Sequence, residues 1–330
     1  MDTWPSAHVS CREWHDGLVD LLTALPAVPR RDVTAFVRSA ADVAARLPSP
    51  LLERLAALRE GRDGYGYLQV TDLPHTPDAL PNTPDSRPAP AERPLLSMEG
   101  WLLAICTAVG VPTAYRELHA GSLLQDVYPS PHAHPLSAQS SAVPLTLHSE
   151  MLYHRWRPDF LLLACSRPDH DGAAGTTVAA ARAALPLLGA TDRDILRSTR
   201  MACGTDLAFR HADGSSPQAH VMVVEGAPAD PRLSFDRDLL EPGDPAARRA
   251  LGALSAALDA VTETVRLRPG DLLILDNARV VHGRSTFVPR WDGHDRWLHR
   301  AYARSLPLGR EGRPDAGAAR HFQTKPFAPC

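Results

Sequence analysis

The run Leu145-Thr146-Leu147-His148-Ser149-Glu150 holds an imidazole and a carboxylate two positions apart in a segment with strand character. Successive strand side chains alternate faces, so His148 and Glu150 point the same way, about 7 Å apart along the chain. One nitrogen and one oxygen make an incomplete metal site, and a third donor must come from elsewhere in the sheet. The best candidate is His282, at the end of an apolar strand (Asp271 to Leu275), a polar corner (Asp276-Asn277-Ala278-Arg279) and a β-branched run (Val280-Val281). Gly283 beside it permits close approach of backbone or ligand. Two histidines and one carboxylate on one face of an octahedron define the facial triad of non-haem Fe(II) oxygenases, whose opposite face stays open for cosubstrate and dioxygen.

Such a triad does not activate O2 alone, because two further electrons are needed. A 2-oxo acid supplies them by oxidative decarboxylation, and its distal carboxylate must be neutralised in a buried site. Arginine matches a carboxylate with a planar fork. Arg296 and Arg300, downstream of His282, are both available, and Gly175-Thr176-Thr177 offers a hydroxyl.

Three stretches carry a family resemblance: His148 to Asp169, Gly175 to Ala179, and Asp276 to Arg304. They resemble the clavaminate synthase-like branch of the TauD/TfdA superfamily, which includes arginine and asparagine β-hydroxylases of bacterial natural-product pathways. That branch uses His-X-Glu where most of the superfamily uses His-X-Asp, and this chain has Glu150. The resemblance implies His148, Glu150 and His282 as Fe(II) ligands, with 2-oxoglutarate and O2 as cosubstrates. It implies Arg296, fourteen residues beyond His282, as the salt-bridge partner of 2-oxoglutarate, with Thr176 assisting. Arg300 would hold a substrate carboxylate. Glu117, ahead of Leu124-Gln125-Asp126-Val127-Tyr128-Pro129, would meet the substrate amine. Asp236 and Asp238 fall where the family builds a lid over the side chain. The likeness covers about Leu124 to Arg304, is loose over the N-terminus and is absent over the last twenty-odd residues.

These residues require a scaffold of short strands. From Leu118 onward, β-compatible runs alternate with Pro, Gly, Ser and Asp: Ser122 to Tyr128, Pro144 to Glu150, Phe160 to Ser166, Thr176 to Ala180, His220 to Glu225, Thr264 to Arg268, Asp271 to Leu275, Val280 to Arg284 and Trp297 to Ala303. That pattern predicts a sandwich or jelly roll. Two helices interrupt it, one starting near Thr191 with Asp194 completing a capping box, the other running from Asp244-Pro245 to about Thr262. Upstream, helical spacing over Trp14 to Leu25, Arg31 to Leu47 and Leu51 to Leu58 predicts a buttress within 1–60, and Leu95 to Val109 reads as a buried helix. Tyr65 to Val70 reads as a strand. Pro74 to Pro94 is a proline-dense loop long enough to suggest function. The expected organisation is one oxygenase domain over 1–330, mainly β with flanking helices, its double-stranded β-helix core spanning 118–304.

Composition removes several classes. The formal net charge of −3 over 330 residues gives no global reason to expect nucleic acid or an anionic membrane as partner. No run approaches the roughly 18 apolar residues that span a bilayer, and Met1 to Ser10 lacks the pattern of a secretory signal, so a cytoplasmic location is expected. Cys11, Cys106, Cys165, Cys203 and Cys330 are widely spaced with no CxxC, which argues against disulfides or a thiolate zinc site. There is no GxGxxG, Walker A or GxSxG, and no PCxxC to complete a zinc deaminase. His132 and His134 sit between Pro131 and Pro135 in a loop without a suitably spaced carboxylate.

The expected activity is hydroxylation at the β- or γ-carbon of a polar, basic amino acid, free or carrier-bound. The same chemistry could instead desaturate or cyclise. The rival classes are an iron dioxygenase needing no 2-oxo acid, from which Arg296 discriminates, and a non-catalytic jelly-roll binding protein, whose signature would be a broken triad. Oligomeric state is not encoded in any motif.

Overall fold

The computed structural model describes residues 6–76, 80–85, 92–131, 141–206, 209 and 218–305, with the backbone of 322–323. His132, His134 and Cys330 lie outside the described residues, as do parts of the loops at 74–94 and 214–231.

The N-terminal third is helical apart from two strands at one end of the major sheet. β1 (His8–Ser10) is followed by α1 (His15–Leu22), α2 (Val33–Ala44), α3 (Ser49–Arg59), β2 (Tyr67–Thr71) and α4 (Ser97–Val109). α2 begins where the Asp32 carboxylate accepts the Ala35 N–H at 2.9 Å, and it buries Phe36, Val37, Ala40, Val43 and Ala44. That spacing is one face of a helix. α4 is apolar nearly all round because it is covered on both sides, by the other helices and by the sheet behind it.

The remainder is mainly strand: β3 (Val111–Ala114), β4 (Gln125–Val127), β5 (Leu145–His148), β6 (Phe160–Arg167), β7 (Thr176–Ala180), then α5 (Ala181–Ala184) and α6 (Ala190–Ser198). Next come β8 (Arg200–Cys203), β9 (Ala219–Met222), β10 (Val224–Glu225), β11 (Arg232–Leu233), β12 (Leu240–Glu241) and α7 (Pro245–Ala260). β13 (Glu263–Val265), β14 (Leu272–Asp276), β15 (Val280–Arg284), β16 (Trp297–Arg304) and β17 (Phe322–Gln323) complete the chain. Asp244 caps α7 through the Ala247 N–H at 2.8 Å. α6 starts at Ala190 after Gly189 with no side-chain cap, so the expected Thr191–Asp194 box does not form: Thr191 is already inside the first turn.

The major sheet runs β1-β2-β14-β6-β16-β3-β17, with β4 also on β16, and the minor sheet runs β13-β7-β15-β5. Pairing is antiparallel except β1 on β2 and β17 on β3. The chain passes from one sheet to the other at β4–β5, β5–β6, β6–β7, β13–β14, β14–β15 and β15–β16. One core lies between the sheets, built on residues such as Leu161, Leu163, Val178, Leu273, Val281 and Tyr302. A second fills the space between the major sheet and the helices, with Trp101, Leu102, Leu162, Ile274 and Ala301. Thus β6, β14 and β16 are buried on both faces; β6 and β14 read as almost unbroken apolar runs, while β16 carries His299 and Arg300 among its apolar residues. Two facing antiparallel sheets with these crossings form a double-stranded β-helix; α1–α4 stack on the outer face of the major sheet, while α5 and α7 pack against β7 of the minor sheet.

Candidate metal centre and its cavity

His148 ends β5 and pairs across the ladder with His282 of β15. Gly283 makes this possible: a Cβ there would stand 2.4 Å from the Leu145 carbonyl oxygen, so β5 approaches β15 only over a glycine. The two imidazole centroids are 4.3 Å apart. His148 Nδ1 lies 2.9 Å from the Thr146 carbonyl, which can only accept, so that nitrogen carries a proton and Nε2 is the nitrogen that would bind a metal, once its own proton is displaced.

Glu150 reaches the same point by a different route from the expected one. The strand stops at His148, and Glu150 sits in a turn whose next residue, Met151, has φ 50°. Left-handed backbone at a non-glycine residue is uncommon and bends the chain sharply. Ser149 N–H is satisfied by the Phe235 carbonyl at 2.6 Å. Glu150 N–H donates to Asn277 Oδ1 at 2.7 Å, and its carbonyl accepts from Asn277 Nδ2 at 2.9 Å. At the far end Tyr302 donates its hydroxyl to Glu150 Oε1 at 2.8 Å. The other oxygen, Oε2, faces His282 Nε2 at 3.5 Å and His148 Nε2 at 3.9 Å.

Three donors converging in this way suit a divalent cation. At metal–ligand distances near 2.1 Å, adjacent octahedral donors lie about 3 Å apart, so small side-chain movements would bring this set onto one ion. Burial alone would raise the Glu150 pKa, but Arg300 and the two imidazoles reverse this and hold it well below the usual range. Burial and His148 push His282 down to about 4, a neutral ligand at ordinary pH. For His148, burial acts downward but Glu150 and Asp236 outweigh it and raise it to about 9.

Two other groups of histidine and acid residues occur among the described residues. Glu99, Asp126 and His299 lie on the helix side of β16, where Arg30 and Arg93 reach Glu99 at 2.6 and 2.5 Å and already supply the positive charge. His170, Asp292 and Asp295 occupy a loop in which Asp295 accepts the N–H groups of Arg290 and Trp291.

The His148, Glu150 and His282 group opens into a cavity of about 480 Å³ between the sheets. At one end stands Arg296, just before β16 and only 6% exposed. Among the described residues no carboxylate lies within ion-pair distance of it. Its guanidinium packs 5.7 Å from the Phe287 ring, and Arg284 packs on the same ring at 5.5 Å. Thr176 lies opposite Arg284 in the β7–β15 ladder and lines the same region. Burial, then repulsion from Arg296, lowers the Arg284 pKa to about 10.

Arg300 is on the cavity face of β16, between Leu298 and Tyr302. Its Nε donates to Gln125 Oε1 at 2.9 Å, and Nη1 is 3.8 Å from Glu150 Oε1. Asp236 bridges to His148 and lines the cavity with Asp238, which accepts from the Thr146 hydroxyl at 2.6 Å. Burial raises the Asp236 pKa. Glu117 is not among the lining residues; its neighbours Leu118 and His119 are. In the turn after β3 a shift of one residue decides which side chain faces inward, so the amine role expected for Glu117 has no support in this geometry.

Sequence reasoning missed Arg284, Thr205, Asp206, Asn277 and Tyr302. Tyr302 had a signal, since it shares the face of Arg300 two positions along a strand. Asn277 lay in the polar corner already noted. Thr205 and Asp206 sit in an irregular segment with no periodicity to place them.

Comparison with known proteins agrees with this geometry. Residues 33–302 match the family model described as taurine catabolism dioxygenase TauD, TfdA family. The chain is 44% identical over 298 residues to clavaminate synthase 2 of Streptomyces clavuligerus, covering 90% of this chain and 92% of that one. Asparagine oxygenase, solved with Fe(II), 2S,3S-3-hydroxyasparagine and succinate, superposes with a TM-score of 0.85 at 30% identity over 97% of this chain and 100% of that one. The non-haem iron oxygenase OrfP, solved with Fe, succinate and (3S)-hydroxy-L-Arg, gives a TM-score of 0.79 at 27% identity over 96% and 99%. A double-stranded β-helix with a His/Glu/His cluster, matched over most of its length by this family, belongs to it: the chain is a member of the TauD/TfdA family of dioxygenases.

Proposed function

We propose that His148, Glu150 and His282 hold the iron, that Arg296 and Thr176 bind 2-oxoglutarate, and that the chain hydroxylates an amino acid bearing a cationic side chain. As a member of its family the chain uses Fe(II), 2-oxoglutarate and O2. The bound iron supplies the oxidising power drawn from O2 and from decarboxylation of the 2-oxo acid. The protein supplies position and charge.

The observation that carries this reading is the charge order of the cavity. One end has Arg296 and Arg284 with the Thr176 hydroxyl, suited to the far carboxylate of a dianion. The other end mixes one arginine with three acids, Arg300 with Asp206, Asp236 and Asp238, suited to a zwitterion with an extra positive group. The His148, Glu150 and His282 cluster lies between. Arg300 would take the α-carboxylate and the aspartates the side chain, since a buried ammonium or guanidinium without a partner is costly. Glu150, held as an anion, contributes a negative charge that a cationic metal requires. Tyr302 stays a donor, because burial raises its pKa well above the ordinary value. The apolar lining, Leu161, Leu163, Phe209 and Leu298 among it, keeps water from the reacting carbon.

A substrate recognised in this way is a small molecule; we place the enzyme in the cytoplasm. Among the described residues no helix is long and apolar enough to cross a membrane. The test is succinate release with Fe(II), 2-oxoglutarate and O2 against free and carrier-tethered amino acids, with the product weighed by mass spectrometry. Basic amino acids should release succinate above the uncoupled background and gain one oxygen. A loss of two hydrogens would mean desaturation or ring closure instead, and turnover confined to neutral amino acids would refute the cationic side chain.

A further inference from the structure

Glu150 poses a structural problem: it lies two residues past the end of β5 at His148, in a turn, and therefore has no ladder to fix its backbone. Yet it is 9% exposed, and buried N–H and C=O groups need partners. His148 is held by β15, and Ser149 by Phe235 on both its N–H and its hydroxyl. Beyond them the pairing passes to a side chain. The Asn277 amide accepts from Glu150 N–H at 2.7 Å and donates to Glu150 C=O at 2.9 Å, as a neighbouring strand would. The same amide group donates to the Pro158 carbonyl at 2.8 Å, and Asn277 N–H donates to the Asp159 carbonyl at 2.9 Å. Asn277 is 2% exposed and sits in the corner between β14 and β15, five residues before His282.

We propose that Asn277 is a positioning residue for the metal-binding carboxylate. Its two bonds fix the peptide planes on both sides of the Glu150 Cα and so fix the direction of the Cβ. They also join that carboxylate to the corner that launches β15, the strand carrying His282. One side chain thereby sets the distance between the carboxylate and the distal imidazole. The corner around it is independently braced: Arg279 makes a two-pronged pair with Asp230 at 2.7 and 2.8 Å, remote from Glu150. Asn277 can therefore be perturbed with a control that loosens the same corner without touching the carboxylate.

The inference rests on Glu150 being a metal ligand, and the test separates the two claims. Mn(II) is titrated into the metal-free full-length chain without oxygen, for wild type, Asn277→Ala, Asn277→Asp and the control Asp230→Asn, with thermal unfolding of each. Asn277→Asp keeps the acceptor for Glu150 N–H but sets a carboxylate oxygen against two carbonyls. Both Asn277 variants should bind Mn(II) about 10- to 100-fold more weakly, the usual effect of losing a group that orients a ligand. Asp230→Asn should lower Tm while leaving Mn(II) affinity within about twofold, the ordinary behaviour of a change that reaches no ligand. A folded Asn277 variant with wild-type affinity would overturn the proposal. So would failure of both variants to fold, since Asn277 would then serve the fold as a whole. Wild type that binds no Mn(II) would instead remove the metal assignment beneath it.

Discussion

Replacing Arg296 with methionine separates a binding role from a structural one. The guanidinium is buried, faces the cavity, and has no carboxylate within ion-pair distance among the described residues; burial lowers its pKa. A buried cation in this state costs the metal-free and cosubstrate-free protein some stability. Methionine keeps most of the apolar stem and removes the charge. Tm should therefore stay level or rise. Binding should move the other way: losing one partner of a buried charge pair costs about 3–5 kcal/mol. Arg284 shares the Phe287 ring and would meet part of the same negative charge, so the lower end applies. At about 1.4 kcal/mol per decade, 3 kcal/mol is about a 100-fold rise in the Kd for 2-oxoglutarate. Calorimetric titration of 2-oxoglutarate into Mn(II)-loaded protein reads it directly. Arg296→Lys should fall between, because a point charge cannot make the two-pronged contact. A Kd within about threefold of wild type in Arg296→Met would refute the reasoning and move the role to Arg284 or Arg300.

Other outcomes follow from the same geometry. Asp236→Asn and Asp238→Asn should each raise KM for a basic substrate more than for a neutral one, by about two- to fivefold for a solvent-screened charge pair, measured as succinate release; equal effects on both substrates would make them surface acids. Arg300→Met should weaken amino-acid binding while leaving the 2-oxoglutarate Kd near wild type, and the reverse pattern would exchange its role with that of Arg296. Gly283→Ala puts a methyl group 2.4 Å from the Leu145 carbonyl oxygen, which must drive β5 from β15. Overpacking of this kind costs about 1–3 kcal/mol, so Tm should drop and Mn(II) affinity with it; an unchanged Tm would mean that the strands separate freely.

The clustering of His148, Glu150 and His282 was legible because a period of two and one glycine suffice to express it. The reason assigned was only half right. His148 and His282 are ladder partners, but Glu150 leaves the strand and is aimed by Asn277, a long-range contact that no local pattern encodes. The doubly buried strands β6 and β14 announced themselves as apolar runs. β1, β3 and β8 did not, being only 3, 4 and 4 residues long and held by neighbours far away in the chain. Arg284 resembled any strand arginine until Phe287 and Arg296 closed round it. Thr205 and Asp206 reach the cavity from an irregular segment, and in the turn after β3 it is Leu118 and His119, next to Glu117, that line it.

The central claim is that the His148, Glu150 and His282 side chains form one iron site, and anaerobic titration of Fe(II) into the metal-free chain tests it most directly. Wild type should bind one equivalent. His148→Ala and His282→Ala, each folded by circular dichroism, should lose stoichiometric binding. One equivalent bound with wild-type affinity by both variants would contradict the account and put the iron elsewhere.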